Sequence, residues 1–232
     1  MERLLVKITK TDEIKFISHL DTMRTFYRAL KRSNLPISYS KGFNPHPSIS
    51  VAAPLSLGVE SIGEYIDLEF DSYVDENEIK EKLNETLPLG MKVLNVVYVK
   101  EKKVAAMASV HGAKYVVRMS HNIDSIDTIK DYLNKILSSE EILKDKKTKK
   151  GIKEVNVRPL IIDLKVGSFN SEEVEIEAFV RAGSNGSLGI DILSSIIKDF
   201  SEGNIFGYPH AKRINLYSDV KGKWVDLLSF YK

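Results

Sequence analysis

The sequence of 232 residues contains no cysteine. The chain therefore cannot form disulfides, ligate an iron–sulfur cluster, build a thiolate zinc site or use a cysteine nucleophile. Any radical chemistry that needs a cluster would have to come from another chain. There is no run of eighteen apolar residues, which argues against a membrane span. The first residues lack the apolar core and cleavage site of a secretory signal, so we expect a cytoplasmic location.

The net charge of the chain is small, but positive and negative residues are concentrated in different segments. The net charge is +2, yet residues 1–59 carry nine Lys or Arg against four Asp or Glu, and residues 60–91 carry two against ten. Residues 144–153 hold six lysines and one aspartate. Such a distribution can present a polyanion-binding face, although a charge run is more often a solvated helix or loop.

The first half of the chain shows the periodicities of alternating strands and helices. Residues 3–9 predict a strand, residues 14–17 a short extended piece, and residues 21–33 a helix with Asp21 as its N-cap. The remaining predicted elements are strands over 49–53, 64–70 and 91–99 and a helix over 76–87 capped by Asp75. The element order is therefore β-α-β-β-α-β.

The second half repeats this order without a convincing match in sequence. Its predicted elements are strands over 114–119, 155–166 (interrupted by Pro159), 173–180 and 205–217, and helices from Asp124 or Ser125 and over 190–200. We therefore predict an α+β protein of two tandem ferredoxin-like (βαββαβ) units with antiparallel sheets. The predicted units cover residues 1–103 and 112–232, joined near residues 100–113.

The first candidate site lies where a strand leads into the first helix. Ser18, His19 and Asp21 stand at this helix start, where a base could be positioned or a phosphate bound. The alternative is structural, with Asp21 as the N-cap and His19 as a loop histidine.

The second candidate site is the turn-rich segment from Tyr39 to Pro47. Aromatic rings can stack on nucleic-acid bases, and Lys41 can meet a phosphate. Alternatively, Tyr39 and Phe43 fill the edge of the core while Asn44 and Pro45 make a tight turn. The residues predicted to bind are Tyr39, Ser40, Lys41, Gly42, Phe43, Asn44 and His46.

The first helix adds cations to this region. Arg24, Arg28 and Arg32 are spaced by four residues and would form one basic stripe opposite the apolar face. With Lys31 and Lys41, the stripe could follow a nucleic-acid backbone.

Three further groups of residues are weaker candidates for a site. A metal site would need His19, Asp21, His46 and Glu64 to converge, and no metal-binding spacing supports this, so we expect neither metal nor cofactor. The Gly183–Gly189 loop precedes a helix but matches no nucleotide-binding pattern. The basic and aromatic segment Tyr208–Arg213 could be a surface or a plain strand.

Many of these residues occur together in one protein family. The sequence resembles the radical SAM-linked protein family at Phe16–Asp21, Arg24, Arg28–Leu30, Leu35–Pro36, Tyr39–Pro47, Pro54–Leu55, Gly58 and Glu64–Asp67. The resemblance implies a bacterial protein, or a C-terminal extension, that accompanies a radical S-adenosylmethionine enzyme. It further implies an accessory role in RNA or ribosome modification. The chain has no CxxxCxxC motif and so is not the radical enzyme itself.

A more distant architectural likeness is to CRISPR endoribonucleases of the RAMP superfamily. Their glycine-rich loop precedes the last strand, whereas here the glycine-rich loop precedes the last helix. We therefore favour a non-catalytic module that presents RNA or a ribonucleoprotein to a radical SAM enzyme. The alternatives are a metal-independent endoribonuclease, with His19 or His46 as acid–base and Lys41 stabilising the phosphorane, and a protein-only adaptor.

Overall fold

The computed structural model describes residues 1–100, 103–148, 151–184 and 186–232. The chain forms two compact units: residues 1–111 with 213–232, and residues 112–212. The predicted joint includes Glu101 and Lys102, which lie outside the described residues. Lys149 and Lys150 of the lysine-rich segment, and Asn185 of the glycine-rich loop, also lie outside them.

The elements of the first unit are β1 (Glu2–Lys10), α1 (His19–Arg32), β2 (Ile49–Val51), β3 (Glu60–Phe70), α2 (Glu76–Thr86), β4 (Val93–Tyr98) and α3 (Ala106–Ser109). Its strands pair in the order β4-β1-β3, with β2 beside the later residues of β3. The chain returns to this unit with part of β10 (Ile205–Val220), β11 (Lys223–Asp226) and α6 (Leu227–Tyr231). The pairs of β1 with β3 and β4, and of β2 with β3, are antiparallel.

The alternation of β1 and β3 determines where the core of this unit lies. Leu4, Val6 and Ile8 of β1 point to one face, where Phe26 and Leu30 of α1 pack against them. Burial of this apolar surface is the main force that holds α1 in place. The outward face of α1 remains in solvent.

On the opposite face of the same sheet, polar contacts join the strands to two short helices. Arg3 donates from Nε and Nη2 to the Asp67 carboxylate at 2.8 and 2.6 Å, and Ala106 N donates to Asp67 at 2.9 Å. The Tyr231 hydroxyl donates to the Val104 carbonyl at 2.8 Å. The short helices α3 and α6 are thereby fixed against this side of the unit.

The second unit also combines strands and helices. Its elements are β5 (Gly112–His121), α4 (Ile126–Ser138), β6 (Leu143–Thr148), β7 (Gly151–Asn156), β8 (Ile161–Phe169), β9 (Glu173–Arg181), α5 (Ile190–Phe200) and residues 205–212 of β10. Its strands lie in the order β10-β5-β9-β8, and the pairs of β9 with β5 and β8 are antiparallel. Both units are mixed α+β with antiparallel strand pairs, which confirms this part of the predicted fold class.

Several predicted elements differ from the structure. Residues 14–17 were expected to be extended, but Asp12–Phe16 form a 3-10 helix that begins at Asp12 with φ of 52°. The lysine-rich segment forms an antiparallel hairpin of β6 and β7, because Leu143 pairs with Asn156 and Lys144 with Val155. Its few apolar residues gave no alternation that could predict strands.

The boundary of the second unit also differs from the predicted range of 112–232. Residues 213–232 belong to the first unit, whereas residues 205–212 of the same strand belong to the second. The physical reason is local: Gly63 of β3 lies against the backbone of Ile214, where an added Cβ would stand 2.4 Å from the Ile214 carbonyl oxygen. The absence of a side chain at Gly63 permits this close approach.

Candidate nucleic-acid interface

Helix α1 begins two residues before the predicted start. Ser18 is the N-cap, and its Oγ accepts from Asp21 N at 3.1 Å and donates to Asp21 Oδ2 at 2.7 Å. The prediction of Asp21 as N-cap was therefore wrong: Asp21 is the third helical residue, and its carboxylate accepts from the hydroxyl of the N-cap. The hydrogen bond from Ser18, and a second from Arg24, hold the pKa of Asp21 below its usual value.

The outer face of α1 carries the predicted cations, but one of them is engaged with a neighbouring helix. Arg24 and Arg28 are exposed, and Arg24 donates to Asp21 at 3.1 Å. Arg32 instead donates to the Thr86 carbonyl, the last residue of α2, at 2.6 Å. Arg32 is thus engaged in joining two helices. We define the basic face as Arg24, Arg28 and Lys31, which are all exposed.

The segment between Tyr39 and Pro47 is a closed loop that projects from the unit. An isolated β-bridge joins Tyr39 to Pro47. Above it, Ser40 N donates to the His46 carbonyl at 2.7 Å, and His46 N donates to Ser40 Oγ at 2.9 Å. Every residue from Ser40 to His46 is exposed, including the whole Phe43 ring. Phe43 therefore does not fill the core edge, which was the structural alternative for this residue.

The base of the loop rests on the middle of α1. The hydroxyl oxygens of Tyr27 and Tyr39 are 3.5 Å apart, and Lys31 Nζ lies 4.8 Å from the Tyr27 ring centroid. A hydrogen bond from Lys31 lowers the pKa of the Tyr27 hydroxyl. The predicted loop and the basic face thus meet at Tyr27.

His19 belongs to a different part of the same helix. It stands in the first turn, is exposed, and also lines a cavity of about 20 Å³ with Lys10, Thr22 and Glu64 among others. This is room for about one water molecule and too little for a substrate. Eight residues of helix, or about 12 Å, separate His19 from Tyr27 along the axis.

A buried ion cluster lies behind His19, and sequence reasoning missed it. Arg213 donates to Glu64 Oε1 from Nε at 2.8 Å and from Nη2 at 2.6 Å, and to the Ala53 carbonyl at 2.8 Å. Lys10 Nζ donates to the Ile17 carbonyl at 3.0 Å, and burial lowers the pKa of this amine. The cluster joins β3 to β10, and Lys10 stands beside it at the end of β1, before the chain continues to α1.

These contacts change the assignment of Glu64, which had been a possible metal ligand. Its carboxylate is occupied by Arg213. Among the described residues, no group of three or more His, Asp or Glu side chains is arranged to hold a metal ion.

The remaining candidate segments show no assembled site in the described residues. Gly189 is the N-cap of α5 and makes no side-chain cap. In the segment Tyr208–Arg213, the Tyr208 ring is exposed and lies edge-on to His210 at 6.5 Å. Arg213 is buried and paired, so this segment does not present all its cations on a surface.

A groove of about 360 Å³ runs along β2 in the first unit. Its charged lining residues are Arg3, Asp67 and Glu69. The Asp67 carboxylate raises the pKa of the Arg3 guanidinium by accepting its hydrogen bond. Arg3 also donates to the Val104 carbonyl at 2.8 Å, so its guanidinium is used to hold the unit together.

None of the helices in the described part of the chain has the length and hydrophobicity required to cross a bilayer.

Comparison with known proteins shows similarity of fold. No curated protein matches the sequence. A chain in the crystal structure of a Cbf5-Nop10-Gar1 complex matches with a TM-score of 0.50 and 14% identity, over 92% of this chain and 48% of that one.

Two further solved structures give weaker matches. A chain of the archaeal box H/ACA sRNP Nop10-Cbf5 complex has a TM-score of 0.45 and 12% identity, over 90% of this chain and 46% of that one. A chain of the H/ACA RNP bound to a substrate RNA containing 2'-deoxyuridine has a TM-score of 0.48 and 13% identity, with the same two coverages of 90% and 46%. This protein spans about half the length of the chains that it matches.

One family model matches residues 3–189, from the first strand of the first unit to the N-cap of α5. The matched region contains the capped start of α1, the basic face and the 39–47 loop. The chain therefore belongs to the family described as an uncharacterized protein conserved in bacteria (DUF2344).

Proposed function

We propose that this protein binds RNA, or an RNA–protein particle, through the outer surface of α1 and the 39–47 loop. The observation that carries the proposal is the contact between Tyr27 and Tyr39, which brings an exposed aromatic loop against the basic face. Cations can meet phosphates while rings stack on bases, and this combination is typical of nucleic-acid interfaces. In this proposal the binding residues are Ser18, His19, Asp21, Arg24, Arg28, Tyr39, Ser40, Lys41, Gly42, Phe43, Asn44 and His46.

The proposed scaffold is a pair of ferredoxin-like units. The orders β4-β1-β3-β2 in the first unit and β10-β5-β9-β8 in the second support this inference, since a βαββαβ unit places its last strand beside its first. In such a unit the helices lie on one face of the sheet, so the outer surface of the first helix is open to a ligand.

The proposed partner is a radical SAM enzyme on a separate chain, and the proposed location is the cytoplasm. The resemblance at Phe16–Asp21 and Tyr39–Pro47 supports this partner, and the lack of cysteine means that a cluster would have to be on another chain. The protein would act as an accessory that presents RNA or a ribosome component for modification. Affinity purification from the native host, with bound proteins and bound RNA both identified, tests it. Recovery without any radical SAM enzyme or RNA would contradict it.

RNA binding itself is tested with purified protein and labelled single-stranded RNA at low salt. The double variant Arg24→Ala/Arg28→Ala should bind more weakly, because it removes two exposed cations from the basic face. The matched control is Lys80→Ala/Lys82→Ala on α2, where Lys82 already pairs with Glu78 at 2.7 Å. The control should bind like the wild type. Equal losses in both variants would contradict a specific interface on α1.

The catalytic alternative makes a separate prediction. In the accessory role, His46→Ala should alter the activity of the assembled system with less effect on RNA affinity than Arg24→Ala/Arg28→Ala. An endoribonuclease would instead cleave RNA in the presence of a chelator and lose cleavage on His19→Ala or His46→Ala. Cleavage of that kind would replace the accessory role with a catalytic one.

A further inference from the structure

Large apolar side chains stand in solvent at the start of α1 and on the 39–47 loop. Phe16 is 61% exposed and Leu20 65% exposed just before and within the first turn of α1, and Phe43 is fully exposed on the loop. Large exposed apolar groups beside a charged surface often mark an interaction site. Stacking was predicted from the sequence for the loop alone, so Phe16 is an additional feature.

The contacts of Phe16 suit a nucleic-acid ligand. Lys15 Nζ lies 5.4 Å from the Phe16 ring centroid and 3.0 Å from Glu60 Oε1. The Lys15 carbonyl accepts from Gly58 N at 3.0 Å, which ties the 3-10 helix to the segment before β3. The Phe16 ring is therefore presented on an anchored backbone, and stacking on it would cost little ordering of the chain.

Exposed rings beside a basic face discriminate between paired and unpaired RNA. A duplex offers phosphates to cations but keeps its base faces covered by stacking, whereas unpaired bases can be splayed onto protein rings. We propose, on the basis of the RNA-binding function above, that the ligand is an unpaired stretch of RNA that crosses the outer surface of α1. One base stacks on Phe16, another stacks on Phe43, and the phosphates between them follow Arg24, Arg28 and Lys31.

The size of the surface sets the length of this stretch. Leu20 and Lys31 are eleven residues apart on α1, which corresponds to about 16 Å along the helix axis. A stacked single strand advances by about 3.4 Å per nucleotide, so roughly five nucleotides span the distance. A short loop or a single-stranded junction is therefore long enough to cross the basic face.

The experiment compares a short, unstructured single-stranded RNA with the duplex formed by annealing its complement. Binding is measured by fluorescence anisotropy at low salt. The single strand should bind more tightly than the duplex. Phe16→Ala and Phe43→Ala should each weaken single-strand binding by about 5- to 150-fold, the range expected for the loss of one base-stacking ring, and should leave duplex binding unchanged.

The matched control is Tyr73→Ala. Tyr73 is 65% exposed, close to the exposure of Phe16, but it stacks on Tyr98 at 4.9 Å beside the acidic start of α2. This variant should bind like the wild type. A fluorescent adenine analogue in the single strand should also lose its quenching on Phe16→Ala if a base stacks there.

Two results would overturn the inference, and they are distinguishable. If the duplex binds as tightly as the single strand, both Phe variants bind like the wild type, and Arg24→Ala/Arg28→Ala still weakens binding, RNA binding stands and the unpaired-RNA inference is wrong. If neither RNA binds at low salt, both this inference and the proposed function are wrong, and the surface is reassigned to a protein partner.

Discussion

Replacing Glu64 with alanine is expected to destabilise the first unit by about 3–5 kcal/mol, the cost of leaving a buried charge without its partner. Arg213 is 2% exposed and donates to Glu64 Oε1 through Nε and Nη2 at 2.8 and 2.6 Å. In the variant, carbonyl contacts remain, with Ala53 at 2.8 Å and Pro54 at 3.4 Å. Neither carbonyl neutralises the guanidinium, and the buried Lys10 adds a second positive charge nearby.

Urea unfolding followed by tryptophan fluorescence measures this effect. Trp224 is the only tryptophan, and it lies in β11 of the first unit, so its emission reports on that unit. With a denaturant slope of about 1–3 kcal/mol per molar urea, the midpoint should fall by more than about 1 M. Lys82→Ala removes an exposed ion pair of α2 and should change stability by no more than about 0.5 kcal/mol.

A shift of the Glu64→Ala midpoint no larger than that of Lys82→Ala would refute the reasoning. Because Glu64→Ala could prevent folding altogether, the double variant Glu64→Leu/Arg213→Met serves as a second test. Replacing both partners by apolar side chains removes the charges together, and such replacements are often close to neutral. The double variant should recover most of the lost stability. If it is as unstable as Glu64→Ala, packing around the cluster, and not the unpaired charge, determines the loss.

Three further predictions concern the same unit. Ser18→Ala should lower its stability by about 1 kcal/mol in urea unfolding, since it removes the N-cap of α1, and Ser18→Thr, which keeps the hydroxyl, should restore most of the loss. Gly63→Ala should strongly lower the urea midpoint reported by Trp224 fluorescence, because the new Cβ would stand 2.4 Å from the Ile214 carbonyl oxygen. An unchanged midpoint would contradict that close approach. Burial lowers the pKa of Lys10 below the 10.5 of the free amine, so wild-type stability relative to Lys10→Met should rise as the pH increases toward about 10.5. A relative stability that is flat or falls over this range would show that Lys10 is charged and solvated.

Local sequence patterns were enough to predict the elements with a clear period. The alternation of acidic and apolar residues in β9 (Glu173–Arg181) gave its position and its buried face correctly. Asp75 caps α2 as predicted, because its carboxylate accepts from Asn77 N and Glu78 N. In these segments the side chains that define the local structure are neighbours in the sequence, so the period of the pattern is sufficient.

The start of α1 shows where a local pattern was ambiguous. Ser18 and Asp21 are both good N-cap residues, and they stand three positions apart, as in a capping box. With the cap predicted at Asp21, the first residues of the helix were missed, and His19 was not predicted to be helical. The presence of a capping pair could have indicated the earlier start.

Long-range contacts lay beyond any reading of the sequence. Glu64 and Arg213 are separated by 149 positions, and each is surrounded by residues that predict only a strand. The role of Tyr27 was missed for the same reason, since its partner Tyr39 lies on a loop whose path depends on the bridge to Pro47. The basic face was predicted from spacing, but the loss of Arg32 to the end of α2 required the packing of two helices.

The most direct test of the central claim is the salt dependence of single-stranded RNA binding to the wild type and to Arg24→Ala/Arg28→Ala. Each phosphate neutralised contributes a slope of about −0.7 to a plot of log affinity against log salt. The double variant should therefore bind more weakly at low salt and have a slope flatter by about 1.4, since two cations are removed. Absence of wild-type binding at low salt, or an unchanged slope in the variant, would contradict an RNA interface on α1.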